Sequence, residues 1–235
     1  MTAPKTGGAT PPLESPRRDW QDWARTNVRR VSIGAGVVVV AAGATLAYVA
    51  SERNKEAFAA QALSQAWSTV EAGNVALAAN DLQRLVERYG GTRASDEGFV
   101  LLSELRLLGG DNDAAVRSLQ QFVDRSHPKY ILASAYSLLG GGLENQRKFA
   151  EAGRAYRSAA ANADLGFLTA TYLIDAGRAF ALAKDTASAK AALGEVLAKY
   201  GELAQSAEAR VRMAEIGGEV PPAPEPKPAG DGQGG

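Results

Sequence analysis

From Ser51 to Ile216, apolar residues recur at three- and four-residue spacing, and Ala, Leu, Glu, Gln and Arg fill the intervals. That period is the signature of amphipathic helices. Gly and Asp/Asn clusters interrupt it and mark short loops. The stretch holds one proline, Pro128. No period-two alternation runs long enough to predict a strand. One segment departs from this pattern: Val31 to Ala50, VSIGAGVVVVAAGATLAYVA, is uncharged over 20 residues. As a helix rising ~1.5 Å per residue it is about 30 Å long, the thickness of a bilayer's hydrocarbon core.

Charge gives that segment a direction. The chain has 26 basic and 26 acidic residues in 235, so no bulk field points to nucleic acid. Residues 1–30 nevertheless carry Lys5, Arg17, Arg18, Arg25, Arg29 and Arg30 against Glu14, Asp19 and Asp22. Only Arg53 and Lys55 follow closely after Ala50. The positive-inside rule therefore predicts a single-pass anchor with residues 1–30 cytoplasmic and everything after Ala50 extracytoplasmic. A cleavable signal peptide fits less well, because its basic region would be thirty residues long and Tyr48 stands where a small residue is needed. Ahead of the span, Ser15-Pro16 reads as a helix start. Trp20, Trp23 and Ala24 then share one face suited to the headgroup layer. Ser32 and Gly36, and Gly43 and Ala47, have the small-xxx-small spacing of close helix packing, which a chain this rich in Ala and Gly also produces by coincidence.

An internal repeat sets the expected architecture. Ala78, Ala115, Ala152 and Ala189 are spaced 37 residues apart. Each is followed four residues later by a larger side chain (Leu82, Leu119, Tyr156, Leu193) and then by Leu85, Phe122, Ala159 and Val196. In the third copy Tyr136, Leu139, Gly140, Leu143, Phe149, Ala152, Tyr156 and Ala159 fall at tetratricopeptide-repeat spacing. Small residues such as Ala66, Gly140, Gly177 and the periodic alanines let paired helices approach, while Leu, Phe and Tyr fill the holes between pairs. The expected fold is all-α: one transmembrane helix, then a tetratricopeptide-like solenoid of about four helix pairs, with Leu203–Ile216 as a capping helix. The expected boundaries are 1–30, 31–50, 51–216 and 217–235. A period of 37 exceeds the usual 34 of such repeats, and Arg147 and Lys184 stand where Gly is usual, so somewhat longer loops are expected. No Pro or Gly lies between Ala44 and Ala72, which allows the membrane helix to continue into the first repeat. The tail, GGEVPPAPEPKPAGDGQGG, has too little apolar mass to order itself.

Candidate chemistry is sparse. There is no cysteine, which removes disulfides, thiolate catalysis and Cys-based metal sites. The one histidine, His127, precedes Pro128 and reads as a polar helix-end residue. Gly140-Gly141-Gly142 lacks the strand and Lys-Ser/Thr pair of a phosphate loop. Asp96, Glu97 and Glu104 read as a solvated helix face. No catalytic, cofactor or metal site is expected. The expected asset is the groove of a helical-pair solenoid, lined by the first helix of each pair. Register projects Leu63, Trp67, Val70, Val100, Glu104, Leu107, Ile174 and Arg178 onto it. Apolar residues on a wet groove suit a peptide or protein partner, with a second copy of the chain as the alternative occupant.

The order of parts, and the stretch YGGTRASDEGFVLLSELRLLGGDNDAAVRSLQQFV from Tyr89 to Val123, resembles the YfgM-like family of ancillary subunits of the bacterial SecYEG translocon. The similarity covers roughly residues 17–200. The Pro/Gly tail and the Ser51-Glu52-Arg53 exit from the span depart from that family's pattern. The resemblance implies an inner-membrane protein with a periplasmic repeat domain. It also implies partners among translocon subunits, periplasmic chaperones or exported polypeptides. An envelope scaffold in cell division or outer-membrane traffic would use the same parts.

Overall fold

The computed structural model describes residue 23 and residues 25–222. The helix start at Ser15, the Trp20 and Ala24 positions and the tail beyond Pro222 lie outside these residues. So do the side chains at positions 30, 31, 34 and 36. All regular structure among the described residues from Val28 onward is helical: α1 Val28–Glu71, α2 Val75–Tyr89, α3 Arg93–Leu108, α4 Asn112–Val123, α5 Lys129–Asn145, α6 Phe149–Asn162, α7 Gly166–Leu182, α8 Thr186–Lys199 and α9 Gln205–Glu215. Two compact units divide the chain, Met1–Asn54 and Lys55–Gly235.

In the first unit, α1 presents Val37, Val38, Val39, Val40 and Leu46 to the surroundings, each between 63% and 72% exposed. Among the described residues no helix is long and apolar enough to cross a membrane. The Val31 side chain and the surroundings of Gly34 and Gly36, all in the expected span, lie outside that description. The helix itself is unbroken over 44 residues, as expected where neither Pro nor Gly intervenes after Ala44.

The second unit is an all-helical repeat array, compatible with a tetratricopeptide-like solenoid. From α2 onward successive helices pack against one another, α3 also reaches α5, and α7 also reaches α9, while Ala59, Leu63 and Ala66 of α1 share a buried cluster with Ala78, Leu82 and Leu85 of α2. The last part of α1 pairs with α2, α3 with α4, α5 with α6 and α7 with α8, and α9 follows as a lone helix. The periodic residues form the core. Ala78, Ala115, Ala152 and Ala189 are fully buried, and Leu82, Leu119, Tyr156 and Leu193 are buried beside them.

The second set of small residues is also periodic. Ala66, Ser103, Gly140 and Gly177 lie 37 residues apart and all are buried. A Cβ on Gly140 would sit 2.7 Å from the Tyr156 ring, and one on Gly177 would sit 2.7 Å from Leu193. Glycine is required there because the partner side chain fills the space a methyl would take. Ser103 satisfies its buried hydroxyl by donating to the Phe99 carbonyl at 2.8 Å, so it serves as a small residue too.

The loops correct one expectation. The turns after α1, α3, α5 and α7 are equally short, and each places one residue in the left-handed region: Gly73, Gly110, Arg147 and Lys184, at φ +79, +83, +60 and +62. The same hydrogen bonds recur at each. Asp111 N–H donates to the Arg106 carbonyl at 2.9 Å, Lys148 to Leu143 at 2.8 Å and Asp185 to Phe180 at 2.9 Å. This is the helix-ending motif that usually selects glycine. Arg147 and Lys184 adopt it in spite of their Cβ atoms, because the two flanking helices fix the turn. Each of these turns spans three residues, so Arg147 and Lys184 bring no longer loop.

Candidate protein-binding face

The first helix of the second unit is joined to α3 by Glu56. Its carboxylate accepts from the Arg93 N–H at 2.9 Å and the Ala94 N–H at 3.0 Å. It thus satisfies two of the unpaired donors at the start of α3 and complements the positive end of that helix. Thr92 supplies the side-chain cap, accepting from Ser95 N–H at 3.1 Å. This junction walls a cleft of about 410 Å³ lined by Glu56, Ala60, Leu63, Trp67, Ala94 and Glu97, with Ser64 and Arg93 at its rim. Trp67 is 47% exposed, so about half of a large aromatic residue faces the cleft and its surroundings.

Neighbouring groups extend the face. Arg93 Nε donates to Glu97 at 3.0 Å and its guanidinium lies over the Tyr130 ring, 5.3 Å from the centroid. Tyr130 Oη in turn donates to Glu97 at 3.3 Å. Positions 56, 93, 130 and 167 hold one register, as Glu, Arg, Tyr and Phe. Tyr130 and Phe167 both remain well exposed. Sequence reasoning missed this row, although the period that aligned the buried alanines also aligns it.

The residues projected onto the groove, Arg178 apart, separate into three groups. Trp67 and Glu104 are exposed. Val70, Val100 and Leu107 are half-buried and pack against the core. Leu63 and Ile174 are core residues, 8% and 4% exposed, with Leu63 showing only an edge to the cleft. They are this deeply buried because a first helix packs one side against its own partner and another against the next pair, leaving a stripe narrower than the projection assumed.

Arg178 is neither core nor free. It forms two hydrogen bonds to Glu144, at 2.9 and 3.0 Å, and one to Asp175 at 3.2 Å. Tyr156 donates to the same Glu144 at 3.3 Å. Burial pushes the Asp175 carboxyl above its ordinary value, and Arg178 pulls against that shift. Burial also opposes the Arg178 charge, but its bonds to Asp175 and Glu144 outweigh it and raise the pKa. The Tyr156 hydroxyl is raised by burial first and by Glu144 second. The group acts as a strut between α5, α6 and α7.

His127, expected as a polar helix-end residue, lies in the connection between α4 and α5 and is largely buried. Its Nδ1 lies 3.0 Å from the Asp96 carboxylate. A carboxylate only accepts, so Nδ1 carries the proton. The ring stacks on Phe122 at 3.8 Å, which stacks on Phe99 at 4.2 Å. Asp96 therefore leaves the expected solvated face, whereas Glu97 and Glu104 stay on it. Among the described residues no group of three or more His, Asp or Glu side chains is placed to hold a metal.

The chain matches no family model and no curated protein.

Proposed function

We propose that the chain is a membrane-tethered, non-catalytic protein-binding module whose partner docks on the face around Trp67. The observation that carries this reading is the half-exposed indole over a cleft whose other large side chains are buried or paired. An aromatic anchor in a pocket with a polar rim is the common anatomy of an interface hot spot. The tether is Val31–Ala50, supported by twenty uncharged residues behind an Arg-rich segment. The resemblance to ancillary translocon subunits favours tetratricopeptide-like repeats facing the periplasm. It also favours translocon subunits, periplasmic chaperones or exported chains as partners. The envelope-scaffold reading uses the same face with different partners.

The test is partner capture by the full chain from solubilised membranes, comparing wild type with Trp67→Ala and following each by urea unfolding. The proposal expects capture to fall at least about tenfold while the unfolding midpoint barely moves. Equal loss of both would make Trp67 a core residue and remove the site. For the tether, deletion of Val31–Ala50 is expected to release the protein from membranes with its helical circular dichroism intact. Retention in the membrane fraction would contradict the anchor.

A further inference from the structure

Charges on the proposed binding face are unequal. Glu56 gives its carboxylate to backbone N–H groups of α3, and no cationic side chain among the described residues pairs with it. Glu97 is matched by Arg93. Glu104 lies seven residues beyond Glu97, hence on the same side of α3. It is exposed and makes no ion pair among the described residues. Of these three carboxylates, only Glu97 thus has a cationic partner among the described residues.

We infer that the segment recognised here is cationic, with one bulky apolar side chain seated against Trp67 and a Lys or Arg about three residues away that meets Glu104. The inference rests on the protein-binding reading of this face and narrows its partner class. Spacing follows from geometry. Trp67 and Glu104 hold equivalent positions on α1 and α3, packed helices lie about 8–10 Å apart, and an extended chain advances ~3.3 Å per residue. The apolar contact supplies most of the affinity, because its burial is not screened. The carboxylates supply selection: an acidic segment meets like charge from Glu104 and Glu56, whereas a basic one is drawn in.

Three short synthetic peptides test this. They share a central Phe and differ only three residues away, where they carry Lys, Ser or Glu. Each is fluorescein-labelled and titrated against the full chain by anisotropy. The expected order of affinity is Lys, then Ser, then Glu, with about tenfold between the extremes at low salt and a narrower gap as salt rises. Glu104→Lys is expected to reverse the order. Equal binding of all three peptides, still sensitive to Trp67→Ala, would overturn the charge inference and leave the binding face standing. Failure of every peptide to bind, or binding indifferent to Trp67→Ala, would overturn both.

Discussion

Trp67 and Arg178 occupy the same register position three periods of 37 apart, yet they do opposite things. Arg178 is held by Glu144 and Asp175, and the glycines near it, Gly140 and Gly177, are closed over by Tyr156 and Leu193. Trp67 has no comparable closure. Its neighbour Glu56 is spent on the start of α3, and its indole stays half exposed. A repeat backbone fixes where a side chain stands, and the local chemistry decides whether that place is sealed or left for a partner. The fourth pair invests its polar groups in cohesion, and the first pair leaves apolar surface available.

The largest effect that would break this contrast belongs to the sealed region. Leu193→Ala removes a buried side chain that fills the space over Gly177, and is expected to cost about 2–5 kcal/mol in urea unfolding. Partner capture per folded molecule is expected to be unchanged. Arg178→Ala comes next, at about 1–2 kcal/mol, because two partly buried carboxylates lose their donor. Its pH dependence has a defined sign. Asp175 already titrates above its ordinary 3.8, so its contribution to stability is fullest below that value and is lost as pH rises through the folded pKa. Without Arg178 the folded pKa rises further. The deficit relative to wild type is therefore expected to be greatest near about pH 7 and to shrink on acidification, as measured by unfolding at several pH values.

His127→Ala loses the Asp96 hydrogen bond and the Phe122 stack, and is expected to cost about 1–2 kcal/mol with no effect on capture. Lys184→Gly relieves a left-handed turn residue and is expected to stabilise by roughly 0.5–1 kcal/mol. Smallest in stability is Trp67→Ala, about 0.5 kcal/mol, although its effect on capture is the largest of the set.

Much of the fold was legible because small and large residues repeat with one period. The four alanines, the side chains that follow them and the four pairs with a following helix all sit where that register put them. Other features depended on partners distant in sequence. Ser103 completes the row of small residues only when its hydroxyl is seen bonded within its own helix. Arg147 and Lys184 suggested longer loops because propensity favours Gly in left-handed turns, but packing of the flanking helices overrode propensity. Asp96 stands in the register of Ala59, Ala133 and Ala170 and is bonded to a histidine 31 positions away. No local pattern announces such a pair. The candidate face was half legible: Trp67 and Glu104 project outward, but Leu63 and Ile174 turned into the core because each first helix is covered on two sides.

The most direct test of the binding face is photo-crosslinking in native membranes from a probe placed at position 67, with adducts identified by mass spectrometry. Adducts to other polypeptides are expected, lost when the probe is moved to the sealed position 178. Adducts confined to a second copy of the chain, or equal yields from 67 and 178, would contradict this expectation.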